Sequence, residues 1–402
     1  MVTGNISMLI HRIKLTNLLS FSSLELELKP LNILIGHNGS GKSNLIEALS
    51  LIQSTPQGIA GPIREGGGVL DWIWKGSEKG TVAAIEAIVA PRQKGTFLDG
   101  INLRYQVSFA SVGRRFEIVD ERVENEHPLS GKKEPRFYFF YQNNQPFISV
   151  GNPDDPKNRR RLQREDVDPE KSILAQRRDP DNYPELTYLG DMFGKIRIYR
   201  DWSFGRYTPP RLPQRTDLAT DFLDENCSNL GLILNNLHNQ PEVKAKMLDA
   251  LNALYPSVTD FGVSIVGGTA QIFLHEGRFS IPATRLSDGT LRYLCLLAIL
   301  CHPTPPPLIC IEEPELGLHP DALAKLAELM RDASKHTQLI ITTHSDILVD
   351  EFTDEPELVV TFEKCGESTE VNRLDPKALE EWLGKYTLGE MRQSGHIGGN
   401  RW

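Results

Sequence analysis

One eight-residue stretch constrains this chain more than anything else in it. Gly36-His-Asn-Gly-Ser-Gly-Lys-Ser43 fits the pattern Gly-x-x-x-x-Gly-Lys-Ser, and its flanks fit as well. Leu31–Ile35 before it is a short apolar run, as a buried central strand requires. After it Leu45, Ile46, Leu49 and Ile52 recur at helical spacing. A strand, a glycine-rich turn and a helix in that order form a phosphate cradle on a parallel sheet. The backbone amides of His37, Asn38, Gly39, Ser40 and Asn44 line such a cradle, and Gly36 and Gly41 allow its tight path. Lys42 supplies positive charge to the β/γ oxygens, and the Ser43 hydroxyl is a ligand for Mg²⁺.

The 402 residues carry a formal charge of −9, so any contact with nucleic acid must come from a local patch. Five cysteines without a C-x-x-C pair exclude a disulfide scaffold and a thiolate zinc site, and they point to a reducing compartment. The opening residues lack a signal-peptide pattern, and the apolar stretches are too short to span a bilayer. A cytoplasmic chain without a membrane partner is expected.

Three later segments refine the reading. Leu308–Glu313 is an apolar strand ending in two carboxylates. Glu312 is placed to hold the Mg²⁺ hydration shell, and Glu313 to orient or deprotonate an attacking water. His344 ends the next strand, where a terminal phosphate would lie. Leu286–Thr290 opens a helix, with Ser287, Asp288 and Gly289 suited to a phosphate at its N-terminus.

Taken in order, Gly36–Ser43, Leu286–Thr290, Ile311–Glu315 and His344 resemble an ABC-class ATPase head of the RecF/SMC type. Leu34–Leu45 and Glu312–Pro320 look more narrowly like compact ATPases related to the head of the OLD-family (overcoming lysogenisation defect) nucleases. That resemblance implies an α/β fold: a phosphate-loop parallel-sheet core, an antiparallel β subdomain and a helical signature lobe. It also implies hydrolysis of ATP to ADP and phosphate with Mg²⁺. Two heads would form a homodimer, sandwiching ATP between one phosphate loop and the partner's Ser287–Thr290. Glu315–Pro320 takes the place of the D-loop crossing that interface. The family's Mg²⁺-sensing glutamine is expected at Gln176.

The expected division is residues 1–125 and 301–402 as the two halves of the ATPase lobe, 126–215 as a basic insertion and 216–300 as the helical lobe. About 240 residues separate Ser43 from Ser287, too many for a transporter subunit and too few for a long coiled-coil arm. Residues 157–215 hold 14 Lys/Arg against nine Asp/Glu, and Tyr199, Trp202, Phe204 and Tyr207 are interleaved with the basic residues. Such a mixture suits a nucleic-acid backbone with stacked bases. Arg197, Arg200 and Arg206 are the expected phosphate contacts, and Trp202 the stacking platform. Only 58 residues follow His344, too few for the nuclease domain of the OLD type, so a nuclease would be a separate subunit. The expected role is an ATP-hydrolysing dimeric switch in DNA repair or defence against phage. The alternative is a slow nucleotide-gated scaffold for a protein partner.

Overall fold

The computed structural model describes residues 8–78, 80–91, 101–142, 145–150, 159–163 and 166–398. The chain begins with β1 (Ile10–Leu18), β2 (Phe21–Glu27) and β3 (Leu31–Gly36), followed by α1 (Lys42–Ser54), α2 (Ala60–Glu65) and α3 (Val69–Trp72). A run of strands follows: β4 (Ala83–Val89), β5 (Leu103–Val112), β6 (Arg115–Asn125), β7 (Phe137–Gln142), β8 (Gln145–Ser149) and β9 (Arg159–Arg161). Next come α4 (Ile173–Gln176), α5 (Pro184–Gly194), β10 (Arg197–Tyr199), β11 (Gln214–Arg215), α6 (Leu230–His238) and α7 (Pro241–Leu254). The helical lobe adds β12 (Asp260–Val266), β13 (Thr269–Glu276), β14 (Phe279–Pro282) and α8 (Asp288–Leu300). The last stretch holds β15 (Leu308–Glu312), α9 (Ala322–Ala333), β16 (Gln338–Thr342), α10 (Asp346–Asp350), β17 (Val359–Cys365), β18 (Ser368–Arg373), α11 (Pro376–Leu383) and α12 (Leu388–Gln393).

A six-stranded sheet in the order β10-β15-β16-β3-β17-β18 forms the centre. Its first five strands are parallel, and β18 returns antiparallel to β17. Every residue of β3 is buried, which is why its sequence shows no alternation. Its side chains still alternate between two cores. Leu34 packs with α1 and the antiparallel sheet, while Ile33 and Ile35 pack with α6 to α9. The eight-stranded antiparallel sheet runs β2-β1-β4-β5-β6-β7-β8-β9. Its β1 shows the half-buried pattern that periodicity predicts. A smaller sheet of β11, β12, β13 and β14 supports the helical lobe, where α8 is buried on nearly every side.

Residues 126–215 are not a separate body in this arrangement. β7, β8 and β9 extend the antiparallel sheet, α5 packs into the first core, and β10 pairs in parallel with the carboxylate strand β15. β9 and β10 are three residues each, too short to show a period. The lobe expected over 216–300 opens with turns and bends over residues 216–229, before its first helix. The turn residues 143 and 144 of the β7–β8 hairpin lie outside the described residues, as do Lys157, Arg164 and residues 399–402 of the Gly-rich tail.

One polar cluster inside the first core has a consequence for pH. Glu121 accepts hydrogen bonds from Tyr105 Oη (2.9 Å), Ser172 Oγ (2.5 Å) and the Ile173 amide (2.8 Å), tying β6 to the start of α4. Burial pushes its carboxyl up to about 7, against the hydrogen bonds that favour the anion. A carboxyl whose folded value lies above its unfolded one binds more protons when folded, so stability falls as pH rises through that window. The loss should total roughly 3 kcal/mol between about pH 4.5 and 7. Urea unfolding of the wild type and Glu121→Gln across that range should show the slope only in the wild type; equal slopes would assign it elsewhere.

Candidate functional site

The site forms where the ends of β3, β15 and β16 meet the N-terminus of α1. Gly36 must be glycine: an added Cβ would lie 2.4 Å from the Phe362 carbonyl oxygen and 2.6 Å from Ser40 Oγ. Gly41 caps α1 in a left-handed conformation (φ 106°), with Thr369 Oγ1 2.6 Å from where a Cβ would stand. This path wraps the loop around the α1 amides. Lys42 folds back onto it and donates to the carbonyls of Gly36 (2.8 Å) and His37 (2.9 Å). Burial, reinforced by the charge of Arg392, lowers its ammonium to about 8. A cation held at loop carbonyls in this way is placed to exchange them for phosphate oxygens.

The carboxylates converge on the same point. Ser43 Oγ donates to Glu312 Oε2 at 3.2 Å. The other oxygen, Glu312 Oε1, is buried without a hydrogen-bond partner, and Arg200 Nε lies 3.9 Å from it. Burial raises the Glu312 carboxyl. A hydroxyl and an orphaned buried carboxylate oxygen side by side suit a hard cation that takes oxygen ligands, as Mg²⁺ does. Glu312, one methylene longer than aspartate, brings its carboxylate to the Ser43 hydroxyl.

Glu313 stands in the left-handed region (φ 47°), a conformation that costs about 1–2 kcal/mol for a residue with a Cβ. Three contacts hold it there. Its amide donates to the Thr342 carbonyl (3.0 Å), its carbonyl accepts from Arg292 Nη2 (2.7 Å), and Trp202 Nε1 donates to the preceding carbonyl of Glu312 (2.9 Å). Its carboxylate then lies 3.6 Å from His344 Nε2. Burial and the nearby Lys42 lower the His344 imidazole, which favours its neutral form. Glu315 Oε1 accepts from Thr343 Oγ1 (2.7 Å) and the His344 amide (2.9 Å), fixing the end of β16.

Ser287 caps α8. Its Oγ accepts from the Thr290 amide at 3.0 Å, while Ser287 and Asp288 are exposed. Gly289 is packed so closely that a Cβ would lie 2.4 Å from the Gly317 carbonyl oxygen. The Ser287 turn and the loop after β15 are thus held in register within one chain. Buried Arg211 braces the turn from behind, donating to the carbonyls of Ala283 (3.2 Å) and Leu286 (2.5 Å) and pairing with Asp288.

Gln176 is not brought to this site. Its amide closes a local loop, accepting from the Asp168 amide (2.8 Å) and donating to the Lys171 carbonyl (2.7 Å). The segment after β10 takes the neighbouring position instead: Arg200 pairs with Glu47 and faces Glu312. The parallel pairing of β10 with β15, over only three residues of strand, is what brings Arg200 there.

Several of the residues expected at a DNA face turn toward the protein instead. Trp202 is stacked between Tyr199 (6.0 Å) and Phe204 (5.9 Å), with the Arg292 guanidinium 4.8 Å from its ring centroid. Its indole Nε1 donates to the Glu312 carbonyl, so the ring braces the end of the carboxylate strand. Arg200 and Arg211 point inward, and Arg197 donates to the Gly194 and Ile196 carbonyls. Among the named candidates, Arg206 and Tyr207 remain exposed. Trp202→Ala should therefore destabilise the fold by roughly 3 kcal/mol in denaturant unfolding and leave single-stranded DNA affinity unchanged. Lost affinity with unchanged stability would restore the stacking role.

With this geometry established, comparisons place the chain among known proteins. The family model described as "AAA domain, putative AbiEii toxin, Type IV TA system" matches residues 31–350. The energy-coupling factor transporter ATP-binding protein EcfA2 of Lactobacillus delbrueckii subsp. bulgaricus is 30% identical over 114 residues. That stretch is 27% of this chain and only 37% of the transporter protein. An Smc head solved with the C-winged helix domain of ScpA superposes with a TM-score of 0.57 at 14% identity, covering 92% of this chain and 99% of the other. The Smc head of Pyrococcus furiosus, solved with an extended coiled coil and the C-terminal domain of ScpA, gives 0.56 at 13% identity, covering 94% and 99%. Among the described residues no helix is long and apolar enough to cross a membrane.

Proposed function

The chain belongs to that AAA-domain family and has the head fold of ABC/SMC-type ATPases, and from this premise we propose that it is a dimeric switch driven by ATP hydrolysis. The reading rests above all on one convergence. Lys42, the Ser43–Glu312 pair and the Glu313–His344 pair meet at the strand ends, while the Ser287 turn is exposed for a second molecule. Mg²⁺ held by Ser43 and Glu312 would neutralise charge on the phosphates. Glu313 accepts a proton from the attacking water, and neutral His344 orients toward the terminal phosphate. Ser287, Asp288 and Gly289 of the second chain close the site from the opposite side, so that two nucleotides lie between two heads.

The output of the switch is DNA repair or defence against phage, through DNA or a separate nuclease subunit. A scaffold reading, with a protein partner and slow turnover, is favoured by the inward placement of Arg200, Trp202 and Arg211. Steady-state ATP hydrolysis with and without double-stranded DNA separates the two. A rise in turnover with DNA supports the first, and slow hydrolysis indifferent to DNA supports the scaffold. Either reading fails if the purified wild type does not bind ATP.

A further inference from the structure

The C-terminal helix α12 brings a guanidinium to the back of the nucleotide site. Arg392 is 7% exposed, and its Nη1 donates to the carbonyl of His344 (3.2 Å) and lies 3.1 Å from Asp346 Oδ1. The surrounding contacts lock α12 onto the helix that follows His344. The Gly389 amide donates to Asp350 Oδ1 (2.6 Å), the Leu388 amide to Thr353 Oγ1 (3.2 Å) and Gln393 Nε2 to Asp346 Oδ2 (3.1 Å). Ile397 is buried beyond it, so the docking continues past the helix.

The loop from Thr343 to Asp346 is therefore held from two sides. Glu315 grips the His344 amide, and Arg392 grips the His344 carbonyl. The peptide units on either side of the histidine are fixed by groups from opposite ends of the site, and the imidazole is left beside Glu313. Arg392 lies outside residues 31–350, where the family model matches. The His344 carbonyl is thus held by a segment beyond the matched residues.

Building on the proposed function, we propose that Arg392 is a positioning residue that sets His344 for the terminal phosphate, which makes α12 part of the ATP-versus-ADP discrimination. The charge on Arg392 also acts on Lys42 and His344, since it lowers the proton affinity of both. Its field reaches the place where the terminal phosphate would add negative charge. ADP lacks that phosphate and gains little from a correctly placed His344.

Calorimetric affinities for Mg·ATP and Mg·ADP test this. Arg392→Ala should lower the ATP/ADP affinity ratio about tenfold while moving ADP affinity by about twofold or less. Gly389→Ala, whose Cβ would lie 2.5 Å from Asp350 Oδ1 and 2.7 Å from the Asp346 carbonyl oxygen, should displace α12 and lower the ratio without touching Arg392. If Arg392→Ala does not fold, Arg392→Met serves, because it keeps the aliphatic stem and removes the one nitrogen that meets both the His344 carbonyl and Asp346. Equal losses for ATP and ADP, or a wild-type ratio in the folded variants, overturn the inference. ATP binding that survives loss of Lys42 would instead overturn the proposed function. Lys42-dependent binding with an unchanged ratio overturns only the role of Arg392.

Discussion

Replacing Lys42 by alanine should abolish ATP binding while the chain stays folded. Its ammonium bridges the carbonyls of Gly36 and His37, where it is placed to meet the β/γ oxygens. Without it, phosphate charge meets a site that contains the carboxylates of Glu312, Glu313 and Glu315. Charge-assisted contacts of this kind contribute several kcal/mol, enough to move a micromolar affinity beyond the millimolar range. Calorimetry with ATP and Mg²⁺ should detect no binding in Lys42→Ala. A variant that binds like the wild type would remove the loop from the account altogether.

Glu313→Gln should retain ATP and hydrolyse it about 10²–10⁴-fold more slowly, because an amide cannot accept the proton of the attacking water. The substitution is nearly isosteric, and the contacts that hold the residue at positive φ are made by its backbone. The loss should therefore appear in kcat and leave the melting temperature within a few degrees of the wild type. Phosphate release under saturating ATP measures it. Turnover at the wild-type rate would move the base elsewhere, with Glu312 next to be tested.

Much of this site was legible in the sequence because its parts are local. A buried strand, a glycine turn and a helix are contiguous between Leu31 and Ser54, and Leu308–Glu313 carries its two carboxylates at a strand end. Spacing along the chain was enough to predict each of them. Sequence alone does not single out Arg292 and Arg392, and it reads Arg200 and Trp202 as DNA contacts, since each acts through the backbone or carboxylate of a residue that only the fold brings close. Trp202 shows the difference most plainly. Basic and aromatic residues that alternate along a chain suit bases and phosphates, yet here the ring braces the Glu312 carbonyl and the neighbouring arginines meet carboxylates and carbonyls. Composition reports what a segment could contact, but not which side of it faces the core. Gln176 failed for a related reason: its side chain answers the polar groups of its own loop, which sequence spacing does not rank against a distant site.

The central claim is that two heads close on ATP through the exposed Ser287 turn of each. Size-exclusion light scattering of Glu313→Gln with ATP and Mg²⁺ tests it directly. The account predicts twice the 45.2 kDa chain mass with ATP, the single-chain mass with ADP, and a return to the single-chain mass when Ser287→Arg is added to a protein that still binds ATP. A single-chain mass for Glu313→Gln saturated with ATP, or a dimer indifferent to both nucleotide and Ser287, would contradict it.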